Sequence, residues 1–266
     1  MSGRKRRLAE PGDVREQQRG DDDQERVFDQ RFVRAAGRLG HAEAAVRLAG
    51  AYAMAGLADD WQNGRQNCID ELCAYLRTPY EPPPEVGPPA AEQLTFGGSQ
   101  EIHHTIISII TAHLRDNARV SWQGHDFDFT GIRFDGGDFS DATFSGGTVD
   151  FKDATFSGAA IDFTRTTFSG ATVDFTRTTF SGAAIDFTDA TFSGGTLLFV
   201  AAAFSGGTLL STGAEFSGAT VHVVAADRRQ GSLLTATASQ MGAVQQKGGP
   251  GLAGHHHLAV GQQGRL

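Results

Sequence analysis

The first part of the chain repeats its apolar residues every three or four positions, which is the period of an amphipathic α-helix. The pattern predicts a helical region at 26–78 and, after a linker, a further helix at 99–116 that caps the segment following it. In the second helix of the helical region, predicted from Ala42 to Ala58, the pattern places Tyr52 and Leu57 on the buried face. Two further stripes are predicted to face a core: Cys68, Ile69, Leu72, Cys73 and Leu76, then Ile102, Ile106, Ile109, Ile110 and Leu114.

The period of the apolar residues changes after Trp122, where phenylalanine becomes the repeated residue. Its spacing is five at first and then alternates between seven and five, so that a unit of 12 residues such as FSGATVDFTRTT recurs. A repeat of fixed period predicts a solenoid, in which each unit buries its apolar face only by stacking on its neighbours. The repeated positions are Phe129, Phe134, Phe139, Phe144, Phe151, Phe156, Phe163, Phe168, Phe175, Phe180, Phe187, Phe192, Phe199, Phe204, Ser211 and Phe216.

Two positions beside each phenylalanine are also regular. The residue two places earlier is small or aliphatic, as at Ile132 and Ala142, and the residue directly before is polar, as at Asp138 and Thr143. This pattern resembles the pentapeptide-repeat family, and the stretch RFVRAAGRLGHAEAAVRLAGAYAMAGLADD resembles the helical region that precedes the repeats in actinobacterial members. The resemblance implies a mainly β fold with an α-helical N-terminal region, in which 122–224 form a right-handed quadrilateral β-helix with the phenylalanines inside.

The length of one coil remains to be decided, because every second unit has two extra residues after Ser-Gly. A coil of 12 residues would enclose two phenylalanines in a very narrow tube, whereas a coil of 24 residues has four sides and four inward phenylalanines. The charges also favour 24, since Asp153 then stacks on Arg177, and Arg165 on Asp189, at a strand separation of about 4.8 Å. We therefore predict one inward column with Phe144, Phe168 and Phe192 and another with Phe156, Phe180 and Phe204.

Composition places the chain among ordinary soluble proteins, with 266 residues, 39% hydrophobic residues and a formal net charge of −8. No apolar run reaches the roughly 20 residues of a membrane span, and the charged N-terminus lacks the apolar core of a secretory signal, so we expect a cytoplasmic protein. The charged segment 1–25 and the Gly-, Gln- and His-rich segment 225–266 are predicted to be disordered tails. Six of the eight prolines lie in 79–98, which is predicted to be a linker.

No residue pattern indicates catalysis. The aspartates that precede the phenylalanines recur because the repeat recurs, and we interpret them as solvated surface rather than as acid–base pairs. Cys68 and Cys73 are the residues most like metal ligands, but a spacing of five on a helix is not that of a zinc site. The sequence therefore predicts no enzyme, no cofactor and no metal. The histidines considered with the cysteines are His103, His104 and His113, and a second group of three lies in the tail at His255, His256 and His257.

Towards the C-terminal end of the repeats, leucine replaces the outward aspartate at Leu198 and Leu210. Val200 and Val223 are further apolar residues of the same C-terminal part. Exposed apolar residues mark interfaces, so these four residues form the candidate interaction site, although loss of the repeat pattern also explains them, as Ser211 indicates. The final coil of a β-helix leaves backbone groups unpaired. The sequence therefore predicts a non-enzymatic scaffold that binds another protein, with a homodimer through the C-terminal coil.

A second hypothesis follows from the family resemblance. Some pentapeptide-repeat proteins protect DNA gyrase from quinolones by resembling a DNA rod, which requires an acidic solenoid. From Ser121 to Ala226 the chain has 12 acidic and four basic residues, which favours an acidic DNA mimic that binds a topoisomerase. Four coils span roughly 20 Å, which is short for such a mimic. Direct binding of nucleic acid is not expected from an acidic surface, because it would repel the phosphates.

Overall fold

The structure is a computed structural model, and it describes residues 11–78, 90–157, 161–181, 184–205 and 208–224. The predicted tail at 225–266 and the prolines at 79–89 lie outside the described residues. The N-terminal part is helical and consists of α1 (Pro11–Leu39), α2 (Ala44–Asp60), a 3-10 turn (Gln62–Gly64), α3 (Arg65–Leu76) and α4 (Ala90–Leu114).

Two helices begin earlier than the sequence pattern predicts. Helix α1 begins at Pro11, so that 11–25 are helical rather than a disordered tail. Helix α4 begins at Ala90, so that 90–98 belong to a helix rather than to the linker. Proline is well placed at or just before a helix start, where its missing N–H would have no partner and its φ angle is already helical. The periodicity missed 11–25 because that segment has almost no apolar residues.

Helices α1 and α2 pack closely because glycine and alanine form the contact surface. A Cβ atom at Gly50 would lie 2.6 Å from the Leu39 backbone nitrogen, so only glycine allows this approach. The prediction that Tyr52 faces the core was wrong, since its side chain is 59% exposed, whereas the prediction for Leu57 was correct. Close helix packing favours small residues over a bulky ring, and the buried residues of α2 are Gly50, Ala51, Met54, Ala55, Leu57 and Ala58.

The β-strands form a four-sided parallel solenoid, in which each coil adds one strand to each of four sheets. The first sheet contains β1 (Phe127–Asp128), β5 (Thr148–Asp150), β9 (Thr172–Asp174), β13 (Thr196–Val200) and β17 (Thr220–Val224). The second contains β2 (Arg133–Phe134), β6 (Thr155–Ser157), β10 (Thr179–Ser181) and β14 (Ala203–Ser205). The third contains β3 (Gly137–Asp138), β7 (Ile161–Asp162), β11 (Ala184–Asp186) and β15 (Thr208–Leu210). The fourth contains β4 (Thr143–Ser145), β8 (Thr167–Ser169), β12 (Thr191–Ser193) and β16 (Glu215–Ser217).

The strand register confirms the 24-residue coil. Phe144 pairs with Phe168 and Phe168 with Phe192, and their rings stack at 5.2 and 5.0 Å between centroids. The predicted second column is confirmed as well, because Phe180 pairs with both Phe156 and Phe204. The first coil is shorter by two residues, since Phe134 pairs with Phe156 across 22 positions. A coil of four sides therefore encloses four columns of stacked phenylalanines.

A β-turn with a left-handed residue follows each inward phenylalanine of the first and third sheets. In one of these turns the Thr178 backbone N–H donates to the Phe175 carbonyl at 3.2 Å, and Arg177 has a φ angle of 58°. This conformation suits glycine, which occurs at Gly131 and Gly213, because a Cβ atom is strained there. Other residues nevertheless occupy it with φ between 55° and 59°: Asp141, Asp153, Arg165, Arg177, Asp189 and Ala201.

The charged residues at these turns pair along the solenoid axis. Arg177 donates two hydrogen bonds to the Asp153 carboxylate, both at 2.6 Å, as the 24-residue spacing predicts. Arg165 also stacks next to the turn of Asp189, as predicted, since its backbone N–H donates to the Thr188 carbonyl at 2.9 Å. Its guanidinium group, however, donates to Asp141 in the preceding coil, at 2.6 and 2.9 Å. Both carboxylates are 24 residues from Arg165, and one guanidinium fork can bind only one of them through two bonds.

Candidate interaction surface

The apolar residues predicted to form an interface do not share one face. Leu198 lies in β13 of the first sheet and Leu210 in β15 of the third sheet, so the second and fourth sheets separate them. The Leu210 side chain is 41% exposed, whereas Leu198 and Val200 are half-buried. Val223 lies in β17, the last strand of the first sheet, and its backbone pairs with that of Phe199. Leu198 and Val200 therefore lie on one face of the C-terminal coils and Leu210 on the opposite face.

The repeated aspartates hold the turns of the solenoid, a role beyond that of the solvated surface that the sequence suggested. In each case one carboxylate oxygen accepts the backbone N–H two residues later, at 2.7 to 3.0 Å. The recurring Asp-Phe-Thr spacing was the signal for it. Leucine has no such acceptor. Accordingly, β5 and β9 end at their aspartates, whereas β13, which has Leu198 at the corresponding position, continues to Val200. The aspartates with this bond are Asp128, Asp138, Asp150, Asp162, Asp174 and Asp186.

Aspartates also stack on aspartates along the solenoid. The 24-residue coil places Asp150 beside Asp174 in the first sheet, and Asp162 beside Asp186 in the third, so like charges are neighbours in both sheets. In the first sheet Lys152 offsets the repulsion, because its Nζ lies 2.6 Å from Asp150 and 3.3 Å from Asp174. In the third sheet Asp162 and Asp186 have no ion pair with a basic residue of the described part of the chain.

Hydrogen bonds and nearby positive charges lower the pKa of several aspartates on the solenoid. The hydrogen bond from Arg165 lowers the pKa of Asp141, and that from Arg177 lowers the pKa of Asp153. For Asp128, burial acts to raise the pKa, but hydrogen bonds from Thr130 and the charge of Arg77 outweigh it, and the pKa is lowered. The acidic surface of the solenoid is thus interrupted by ion pairs rather than uniformly negative.

The two ends of the solenoid are covered differently. At the N-terminal end the Thr111 hydroxyl of α4 donates to the Asp138 carbonyl at 2.8 Å, and Arg77, which follows α3, donates to the Asp128 carbonyl at 3.0 Å. Ile107 of α4 is buried against the same coil. At the C-terminal end β14, β15, β16 and β17 are the last strands of their sheets. Within the described ranges no further strand pairs with their outer edges.

The side chains considered as metal ligands in the sequence are built into the helical core. Cys68 and Cys73 are fully buried free thiols, and burial raises the pKa of each to about 12, so both stay protonated. Among the residues that the structure describes, no three His, Cys, Asp or Glu side chains lie together in a group that could hold a metal ion. His255, His256 and His257 lie outside the described residues.

Comparison with known proteins adds one finding about the repeats. Residues 126–173 match a family model described as pentapeptide repeats in nine copies. This segment contains the first two coils with their inward phenylalanines and turn-forming aspartates. No curated protein and no solved structure matches the chain. None of the described helices has the length and apolar character needed to cross a membrane.

Proposed function

Because this chain is a pentapeptide-repeat protein, we propose that it is a non-enzymatic scaffold that binds another protein through the C-terminal end of its solenoid. The observation that carries the proposal is the contrast between the two ends. Helices lie on the first coil, whereas among the described residues no strand pairs with the outer edges of the last strands, near Leu198 and Leu210. Solenoids need such ends covered, since an open strand edge is a template for pairing. We place this interaction in the cytoplasm.

The first partner we propose is a second copy of the chain. A homodimer in which two C-terminal coils meet would cover both open ends at once. Such a contact has two-fold symmetry and closes, whereas a head-to-tail contact would grow into fibres. Leu198 and Val200 on the first sheet and Leu210 on the third would then lie beside the contact between two stacked ends, on opposite faces of the solenoid.

Light scattering across a dilution series tests this proposal, with Leu210→Asp as the decisive variant. Aspartate is the residue that other repeats carry at this position, so the variant is expected to fold and to add a turn hydrogen bond. The wild type is expected to shift from dimer to monomer on dilution, and Leu210→Asp is expected to be monomeric at higher concentration. Ser181→Asp, an exposed position in the middle of the solenoid, serves as the matched control. A wild type that stays monomeric at high concentration would contradict the homodimer.

The acidic DNA mimic is the second candidate, and one observation favours it. Asp162 and Asp186 form a stretch of the third sheet without basic partners in the described chain. A mimic would bind a topoisomerase through this stretch, so Asp162→Asn with Asp186→Asn should abolish binding and Leu210→Asp should not. We rank this function below the scaffold, because ion pairs interrupt the acidic surface elsewhere on the solenoid and the solenoid has few coils.

A further inference from the structure

A cleft in the helical region collects four arginines. It has a volume of about 410 Å³ and lies between α1, the C-terminal half of α2 and the segment that follows α4. Arg31, Arg34 and Arg38 line it from α1, and Arg119 lines it from the segment after α4. Gly56 forms part of the wall, and a Cβ atom there would meet no other atom within 4 Å, so the space is open.

The positive charge of this cleft is only partly offset. Arg31 donates to the Asp60 carboxylate at 2.7 Å, which pairs one arginine. Arg34, Arg38 and Arg119 are exposed and have no ion pair with a carboxylate of the described chain. The cleft is therefore cationic in a protein whose formal net charge is −8.

Asp59, the other carboxylate in the wall of the cleft, is already engaged. The Trp122 indole N–H donates to its Oδ1 at 3.1 Å, and the His113 Nε2 lies 3.3 Å from its Oδ2. These contacts hold the end of α2 against α4 and the start of the solenoid. They also direct the Asp59 carboxylate towards His113 and Trp122, which leaves the unpaired arginines without a charge partner.

We propose that this cleft binds a small anion that carries two linked phosphate groups. A guanidinium group offers two parallel N–H donors that match two phosphate oxygens, which makes arginine the preferred residue for binding such groups. Arg34 and Arg38 are four residues apart on α1, so their side chains neighbour each other on one helix face. With Arg119 on the other side of the cleft, three unpaired cations surround a space of small-ligand size, which suits a diphosphate better than a single phosphate.

Isothermal titration calorimetry of the full chain tests the site, with pyrophosphate, ADP and inorganic phosphate as probes at constant ionic strength. Pyrophosphate is expected to bind at one site per chain and more tightly than inorganic phosphate. Arg34→Gln and Arg38→Gln are each expected to weaken binding by at least about tenfold, because each removes a pair of charge-assisted hydrogen bonds. Equal affinities for ADP and pyrophosphate would identify the diphosphate as the ligand, and tighter binding of ADP would identify a nucleoside diphosphate.

Arg26→Gln is the matched control, because Arg26 is an exposed residue of the same helix that does not line the cleft. Its substitution should leave the affinity unchanged, whereas Gly56→Leu should block the cleft without loss of helix content. The proposal is wrong if none of the probes binds at millimolar concentration, or if Arg26→Gln weakens binding as much as Arg34→Gln. Leu210→Asp should bind pyrophosphate normally, so this site and the proposed self-association can fail separately.

Discussion

The two ends of the solenoid are made of the same repeat, but in the part of the chain that the structure describes helices cover the N-terminal end alone. Phe144 in the first coil and Phe216 in the last belong to one column, and both follow the same Thr/Glu-Phe-Ser strand pattern. Phe144 is 1% exposed, whereas Phe216 is half-buried. The repeat thus specifies the path of the chain in each coil, while the burial of a coil depends on what lies on both sides of it.

Removal of the two rings tests this comparison and has the largest effect that we expect. Phe144→Ala should lower the free energy of unfolding by ~3–5 kcal/mol, because it removes a fully buried ring and leaves a cavity among Phe127, Phe139 and Phe168. Phe216→Ala should cost less than half as much, because its ring is already partly in contact with water. Urea titration of both variants measures the difference.

Thr176→Ala is the control for the ring substitutions, since it removes an outward side chain in the middle of the solenoid and should change stability by no more than ~0.5 kcal/mol. Equal losses for Phe144→Ala and Phe216→Ala would mean that the last coil is covered as completely as the first. That result would remove the basis for an open C-terminal end.

Two adjacent histidines of α4 make the covered end sensitive to pH. His103 is 5% exposed, and burial lowers its pKa from 6.5 to about 4. Below pH 6.5 the unfolded chain therefore takes up a proton that the folded chain excludes, and stability falls as the pH drops towards 4. This loss is on the order of 3 kcal/mol. Thermal or urea unfolding between pH 7.5 and 4 should show it in the wild type and a flatter profile in His103→Gln.

His104 contributes with the opposite sign. Its hydrogen bond with Asp135, 2.9 Å long, raises its pKa, so the folded chain binds this proton more tightly than the unfolded chain. The stabilisation is fully present below pH 6.5 and is lost as the pH rises through the raised pKa. His104→Gln should remove only this alkaline loss. A His103→Gln profile as steep as the wild type below pH 6.5 would show that another group causes the acid sensitivity.

The solenoid was readily predicted because a repeat protein is nearly one-dimensional, so that a single period decides each contact between coils. The same period also contained information that the interface prediction overlooked. Leu198 and Leu210 are 12 residues apart, which is half a coil, and a 24-residue coil therefore places them on opposite sheets. The turn bonds of the aspartates were likewise present in the Asp-Phe-Thr spacing, whereas the choice of Asp141 by Arg165 depends on side-chain geometry that spacing does not determine.

The helical region was harder to predict because its contacts are specific to each pair of helices. The pattern found the buried stripes of α3 and α4, where large aliphatic residues and cysteines carry the signal. In α2 it was right for Leu57 but wrong for Tyr52, because glycine and alanine form most of the packed face of that helix. The arginine cleft joins residues from α1 with Arg119, about 80 positions later, and no local pattern brings these together.

Apart from the Thr176→Ala control, the smallest effect that we expect comes from the left-handed turn position, which is glycine in the first coil and alanine near the last. Gly131 in the first coil and Ala201 near the last both follow an inward phenylalanine of the first sheet by two residues, with φ angles of 70° and 55°. A Cβ atom at residue 131 would meet no other atom within 4 Å, so Gly131→Ala has a purely conformational cost of about 1 kcal/mol. Ala201→Gly should stabilise by about 0.5–1 kcal/mol, because the relief of strain exceeds the added freedom of the unfolded chain. Urea titrations should show these opposite shifts in the unfolding midpoint, with the dependence of the free energy of unfolding on urea unchanged. A full effect at Gly131 with none at Ala201 would mean that the C-terminal end unfolds before the rest of the solenoid.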